Sequence, residues 1–496
     1  MIYIDPPYNT GNDFVYKDNY QDNLHEYLIN TGQIKIEGET TKFLSSNLDT
    51  NGNFHSNWLN MIYPRLKLAK NLLSEEGVIY ISIDDKEFSN LKKVCDEIFG
   101  ENNFIATICQ KSRGGISNDK IISENHNYHL FYAKNKENIH ENRQLYGVKK
   151  TEKDFKNFNK DDNDGKGLYT LNPVSGPGGA RKGNPFYSFL DVEGYYRFSK
   201  ETMQKMYEEG KIVKVNNHLY QKTYLKDLKD KVKTISTWWD DVGTTSNGTT
   251  ELKKLFPEYG VAIFDHPKPT SLIKLMIEYC NVQENDIVLD FFAGSGTTAH
   301  SVFKINAEDN KNIHFILVQL PQPTKEKTDA YIAGYKYITD ISKERINRAG
   351  DSVVKEYGNK DLDTGFKVFK LDSSNLTKWN PDVDNLEDSL VSAADNIVEG
   401  RSSLDLVYEI MLKYGLELTL PVEEISKDIF SVAFGSLVVC LRDDVDENVI
   451  HEIFELVNGS SVSRVVFKDN GFKSDSDKTN IKENLRVHGV DEFITI

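Results

Sequence analysis

Cysteine is scarce. Four residues, Cys95, Cys109, Cys280 and Cys440, lie far apart in a chain of 496. No Cys-x-x-Cys pair exists, so neither a metal site nor a disulfide framework is expected, and a reducing compartment is the simplest setting. Long apolar runs are missing too. Ser431 to Leu441 is the longest candidate, and it falls short of the roughly 18 residues a membrane helix needs. The N-terminus has no basic lead before an apolar stretch, so no secretory signal is expected and the cytoplasm is the expected location. No internal repeat stands out. Aromatic residues are plentiful at 11%, with 25 Tyr and 26 Phe, which excludes wholesale disorder. A chain this long should fold as about two to four domains.

The net charge of −16 speaks at face value against a nucleic-acid partner, but the average hides a segregation. Residues 371–496 carry 11 Lys/Arg against 25 Asp/Glu, whereas residues 101–270 carry 27 against 22. Local fields, not the sum, attract phosphates. The mildly basic middle is therefore a candidate contact region, with a solvated face as the plainer alternative.

The chain opens on a strand, Met1 to Ile4, that runs into Asp5-Pro6-Pro7-Tyr8. Two prolines forbid both helix and ladder there, so the backbone must turn out. Tyr16 to Phe54 reads as a long polar loop. Helical spacing predicts a helix over Trp58 to Leu73, with Gly77 as its C-cap. A buried strand over Val78 to Ile83 follows, and Asp84 sits where a helix N-cap belongs. Strands near Phe104 to Cys109 and Tyr128 to Ala133 complete an alternation that predicts a parallel α/β sheet. The pattern breaks over residues 136–255, which read as an inserted module. It resumes with a helix at Thr270 to Cys280, a strand at Ile287 to Asp290, a helix at Thr297 to Ile305, a strand at His314 to Val318 and a helix at Ile338 to Arg348. The acidic tail carries a helix signal at Leu404 to Tyr414 and strand signals at Phe430 to Leu441.

Two segments carry chemistry. Asp290-Phe291-Phe292-Ala293-Gly294-Ser295-Gly296-Thr297 joins a strand to a helix, the context of a nucleotide or cofactor loop. It lacks the Gly-Lys-Ser/Thr ending of a phosphate loop, which disfavours ATP and GTP. The next strand runs into Gln319, so the carboxylate that a NAD-binding domain needs for the ribose is missing. A tight turn without a ligand is the plain alternative. Asp5-Pro6-Pro7-Tyr8 is the sharper signal. An extruded adenine offers two N–H donors from its N6 amino group. A carboxylate (Asp5) and a carbonyl held by a stiff turn (Pro6, Pro7) can accept both, and an aromatic ring (Tyr8) can stack on the base.

Together, Asp-Pro-Pro-Tyr and Phe-x-Gly-x-Gly resemble the DNA amino-methyltransferases. The order of motifs resembles their beta class. More narrowly, Ile4 to Tyr16, Tyr63-Pro64-Arg65-Leu66, Gly77 to Asp85, His266-Pro267-Lys268-Pro269, Val318-Gln319-Leu320, Gly365 to Asp372 and Leu404 to Pro421 resemble the modification subunit of type III restriction–modification systems. The resemblance implies a Rossmann-like α/β sheet dependent on S-adenosylmethionine, with an inserted target-recognition module and a C-terminal α+β domain. The boundaries expected are 1–135 for the catalytic half, 136–255 for the recognition insert, 256–370 for the cofactor half and 371–496 for the acidic domain. Asp5, Pro6, Pro7 and Tyr8 would hold the base. Asp290, Phe292, Gly294, Gly296, Thr297, Lys268, Pro269 and Gln319 would form the cofactor pocket, with Asp290 near the methionine ammonium. Asp84 and Asp85 match a family strand end, a place that helix capping explains equally well. Lys211, Lys214, Lys222, Lys226, Lys229, Lys231 and Lys233 are the candidate phosphate contacts. Double-stranded DNA, a homodimer and a helicase-like restriction subunit with its own nuclease are the implied partners. The family places a longer lead-in ahead of this motif, and its lack here would weaken folding, DNA contact or dimerisation. The chain has no Pro-Cys pair, which excludes C5 methylation of cytosine through a thiolate. Adenine N6 is favoured over cytosine N4, whose enzymes more often present Ser at the place of Asp5. A shortened, inactive DNA-specificity subunit is the binding-module alternative.

Overall fold

A computed structural model describes residues 1–10, 14–16, 44–46, 54–116, 118, 121–228, 231–377, 397–457 and 463–496. Most of the expected Tyr16–Phe54 loop lies outside the described residues. Two compact units part between Thr364 and Gly365.

The first unit is built on a seven-stranded sheet: β1 (Ile2–Ile4), β2 (Val78–Ile83), β3 (Phe104–Lys111), β4 (His126–Ala133), β5 (Trp238–Trp239), β6 (Ile287–Asp290) and β7 (His314–Leu317). The spatial order is β5-β3-β4-β2-β1-β6-β7. Strands β2, β1, β6 and β7 are parallel neighbours, and β5 is parallel to β3. β4 runs against both of its neighbours. The sheet expected to be parallel is thus mixed. Among the described residues of 112–125 no crossover helix joins β3 to β4, and a connection without one makes neighbours antiparallel.

Side chains alternate across this sheet, and both faces are buried. Ile2, Ile4, Ile79, Ile81 and Ile83 join one cluster with Trp58, Met61 and Leu66 of α1 (Phe54–Leu72) and Leu91 and Cys95 of α2 (Asp85–Phe99). Tyr3, Val78 and Tyr80 join the other, with Leu272 and Met276 of α3 (Thr270–Tyr279) and Val302 and Ile305 of α4 (Thr297–Asp309). Each such side chain, fully buried, contributes roughly 1.5–3 kcal/mol. Asp84 caps α2 by accepting from the Lys86 N–H at 3.0 Å. Gly77 is not the C-cap of α1, which ends at Leu72. It closes a tight turn onto the Ser74 carbonyl (2.9 Å), where a Cβ would collide with that same oxygen. A fifth helix, α5 (Ile338–Tyr357), extends nine residues beyond the expected end and stops at Gly358, which has a left-handed φ of 66°.

After β1 the chain feeds α1 on one face, and after β6 it feeds α4 on the other. The crevice between the carboxyl ends of these adjacent parallel strands is therefore a topological switch point, where open α/β sheets bind ligands.

The excursion between β4 and β5 has its own small core of Val174, Phe189, Tyr196, Met203, Ile212 and Leu219. Around it stand a three-stranded antiparallel sheet (169–173, 218–224, 212–215) and a hairpin (186–189, 192–195). An antiparallel bridge between Val148 and Lys233 forms its neck, inside the 136–255 boundaries. Trp238 and Trp239 are already back in the main sheet. The second unit has a five-stranded sheet in which three antiparallel strands (422–426, 429–432, 437–440) continue into two parallel ones (463–467, 490–495). Helices 403–413, 447–457 and 475–487 pack on it.

Candidate active site

The turn after β1 is held from two sides. The indole of Trp58, fully buried in α1, donates to the Pro7 carbonyl at 2.7 Å. Asn9 takes a left-handed φ of 60°, which Asn tolerates better than most residues. Its amide donates to Glu87 Oε1 at 2.6 Å, and this fully buried carboxylate also meets His55 Nδ1 at 2.6 Å and the Asn90 amide at 2.8 Å. The proline-stiffened peptide thus stands on a polar but satisfied base.

On top of that base sits a three-residue cluster. The Tyr8 hydroxyl donates to Asp5 Oδ1 at 2.8 Å. The Lys268 ammonium lies 2.9 Å from the same oxygen, donates to the Tyr8 hydroxyl at 2.6 Å, and stands 4.9 Å from the centre of the Tyr8 ring. Burial and the Asp5 charge push the Tyr8 phenol well above its ordinary pKa, so it remains a protonated donor. Asn127 at the start of β4 reaches the Tyr8 hydroxyl at 3.4 Å. Lys268, expected in the cofactor pocket, therefore meets the Asp5 turn. Its neighbour Pro269 stands at the start of α3 and accepts from the Leu272 N–H. Below, a buried chain runs from the Tyr3 hydroxyl through Ser82 Oγ (3.1 Å) to His129 Nδ1 (2.9 Å). Burial, reinforced by Lys268, drops the His129 pKa to about 3, so the ring is neutral.

The glycine turn leaves β6 one strand away. Asp290, 3% exposed, accepts from the Phe292 N–H at 3.1 Å and from the Thr298 hydroxyl at 2.6 Å. Burial pushes its pKa up to about 7 against those two hydrogen bonds, and the Asp5 charge adds to the rise. Gly294 and Gly296 have φ of 52° and 82°, values that L side chains rarely adopt. A Cβ on Gly296 would press on Ile346 of α5 at 3.2 Å. Gln319 supplies no ribose acid. Its Oε1 accepts from the Gly294 N–H at 2.8 Å and so braces the turn. Phe292 and Tyr8 both pack against the same core cluster.

Three supports were not read from sequence. Arg345 of α5, fully buried, donates through Nη1 to Ser295 Oγ and to Thr297 Oγ1 at 2.6 Å. Burial lowers its pKa to about 10. A charged residue on the buried stripe Ile341, Ser342, Ile346 and Ala349 is the signal that could have found it. Gly248 has no room for a side chain, since a Cβ would lie 2.1 Å from the Pro267 carbonyl next to Lys268. Glu87 gives no sequence signal, because a first-turn Glu reads as an exposed helix start.

The expected phosphate lysines fall into two groups. Lys222 pairs with Asp162, Lys233 with Asp154 at 2.7 Å and Lys211 with Glu209 at 2.8 Å. Lys214 donates to the Leu190 carbonyl, Lys226 is exposed beside the Tyr224 ring, and Lys231 is exposed. Lys229 lies outside the described residues. Among those residues no His/Cys/Asp/Glu group suited to a metal is found, and no helix is long and apolar enough to cross a membrane.

A family model described as DNA methylase matches residues 1–350. The chain is 35% identical over 488 residues to the type III restriction-modification enzyme EcoP15I Mod subunit of Escherichia coli, covering 86% of this chain and 69% of the relative. It is 35% identical over 381 residues to the StyLTI Mod subunit of Salmonella typhimurium, covering 75% of this chain and 56% of that relative. Among solved structures, PvuII DNA methyltransferase (cytosine-N4-specific) aligns with 11% identity and a TM-score of 0.30, covering 71% of this chain and 85% of that one.

Proposed function

The chain belongs to the DNA methylase family and, within it, to the modification subunits of type III restriction–modification systems, and from that membership we propose that it methylates N6 of an adenine extruded from double-stranded DNA. The observation that carries this reading is the Asp5–Tyr8–Lys268 cluster, at the carboxyl end of a strand parallel and adjacent to the one that ends in the glycine turn.

The residues fit S-adenosylmethionine. Glycines at positive φ leave the end of β6 open to a ligand, and Asp290, Phe292, Gly294, Gly296 and Thr297 would hold it there, with Gln319 bracing the loop. When bound, this group supplies an activated methyl on a sulfonium, so the protein mainly positions the partners. Asp5 and the Pro6 carbonyl accept the two N6–H bonds and turn the nitrogen lone pair toward the methyl. Asp5, already accepting one N6–H, would take the proton that the amine must lose as it gains the methyl, and would pass it on to water. Tyr8 lies against the base, and its raised pKa keeps it a donor rather than a competing anion. Lys268 holds Asp5 in place until the target amine takes over that oxygen.

The insert within 136–255 reads the target sequence, residues 1–135 and 256–370 form the two halves of the catalytic sheet, and 371–496 form a separate domain. The working form is a cytoplasmic homodimer that serves a helicase-like restriction subunit with its own nuclease. The test is incubation with tritiated S-adenosylmethionine and duplex DNA, followed by nucleoside analysis and compared with Asp5→Ala. Label in N6-methyladenine that vanishes in the variant is the expected result. Label in N4-methylcytosine would move the target to cytosine, and no label would leave a DNA-specificity subunit.

A further inference from the structure

We infer that the loop joining β3 to β4 is a wedge that enters the duplex beside the extruded base, an inference that rests on the methylation reading above. Three large apolar side chains stand out from this loop. Ile116, Ile121 and Ile122 are 77%, 104% and 79% exposed. A single exposed isoleucine needs no explanation, but three within seven residues form a surface that water disfavours and a partner would cover.

The place of the loop names that partner. Its foot is closed where the Ser112 and Arg113 N–H groups donate to the Asn125 carbonyl at 2.8 and 3.2 Å. Because β3 runs in the direction of β1, its end and the start of β4 lie at the edge where Asp5 and the glycine turn emerge. Two residues beyond the foot, Asn127 touches the Tyr8 hydroxyl. The two ends of the stretch that carries the isoleucines therefore stand at the rim of the turn proposed to hold the base. Lys111 and Arg113, both exposed, stand at the foot. At Gly114 and Gly115 an added side chain would meet nothing within 4 Å, so open space surrounds this part of the connection. Cations at the foot and apolar groups above suit a polyanion with a stacked interior. Phosphates meet the charges, and the gap left by an extruded base receives an isoleucine, as apolar wedges do where proteins unstack DNA.

The test uses the full chain carrying Ile121→Ser and Ile122→Ser together. Both sites are exposed, so the melting temperature should not change. Two duplexes carry the site mapped by methylation-sensitive long-read sequencing. One is fully paired, and the other places an abasic site opposite the target adenine, so that the base is already unpaired. On the paired duplex kcat/KM should fall by about tenfold or more, while on the abasic duplex it should stay within about twofold, because the extrusion cost has been removed in advance. The KM for the cofactor should be unchanged on both. An equal fall on the two duplexes, or no fall on either, would overturn the wedge. So would an unchanged ratio with loss of self-association in light scattering, which would make the isoleucines a protein–protein surface. Wild-type protein inactive on both duplexes would remove the methylation reading and the wedge with it.

Discussion

Two aspartates end adjacent parallel strands, and they live under opposite conditions. Asp5 after β1 keeps 27% of its side chain exposed, and its partners are side chains: the Tyr8 hydroxyl and the Lys268 ammonium. Asp290 at the end of β6 is buried, and its donors belong to its own turn and the first turn of α4, the Phe292 N–H and the Thr298 hydroxyl. Side-chain donors can swing aside and let a ligand amine take their place. A backbone N–H two residues along cannot leave without undoing the turn. Asp5 thus has partners suited to exchange and Asp290 partners suited to scaffolding, although both stand at the same crevice.

Removing each carboxylate in turn should give the largest effects. Asp5→Ala should cut methyl incorporation by at least about 10²-fold, the range for loss of one preorganised hydrogen-bonding group, while cofactor affinity by calorimetry stays nearly unchanged. Parallel loss of both would erase the proposed division of labour. Asp290→Ala should do the reverse. It takes away the acceptor of the buried Thr298 hydroxyl, which costs roughly 1–3 kcal/mol of stability, visible as a lower melting temperature together with weaker cofactor binding.

The pH dependence sharpens the contrast with a smaller effect. Burial raises the Asp290 pKa in the folded chain to about 7. A raised folded-state value means that its stabilising share is complete below the unfolded value, near pH ~4, and is lost as pH rises through about 7. Asp290→Asn does not titrate. Its melting temperature relative to wild type should therefore climb between about pH 5 and pH 8. Asp5→Ala removes the neighbouring charge that adds to the rise, so the midpoint should move to lower pH. A difference that stays flat across that range would mean the buried acid is not carrying this load.

What could be read from sequence follows the distance over which contacts form. Asp5 to Tyr8 and Asp290 to Thr297 are contiguous motifs at strand ends, where alternating burial and turn chemistry act locally, and they were legible. Lys268 was legible as a motif residue but not in its contact, because only the pairing of β1 with β6 brings it to Asp5, 263 positions away. Asn127 was hidden for the same reason. Its approach to Tyr8 depends on β4 being reversed, and nothing in the composition of residues 112–125 distinguishes a long hairpin connection from the start of a crossover. Glu87 and Arg345 were hidden by charge, since an acidic or basic residue on a helix is first read as solvated. A glycine after a helical stretch, such as Gly77, fits either a cap or a tight turn, and only the Ser74 contact distinguishes them.

The distinction between exchangeable and committed partners extends to the cations of the insert, where it predicts the smallest effect. Lys222 and Lys233 are already neutralised by Asp162 and Asp154, and that pairing holds both carboxyl groups below their usual range. A phosphate would have to displace a carboxylate that is already in place, so these lysines release few counterions on binding DNA. Lys226 and Lys231 are exposed, and a phosphate that either one neutralises would release its condensed counterion. Replacing either by Ala should reduce the slope of log affinity against log salt by about 0.9, with little change in which sequence is methylated. Lys222→Ala should leave the slope nearly unaltered and instead lower the melting temperature of the insert, since the Lys222 side chain is only 11% exposed beside Asp162. Equal slopes for Lys222→Ala and Lys226→Ala would show that an intramolecular carboxylate does not commit a lysine in this protein, and that the contrast between Asp5 and Asp290 does not extend to the insert.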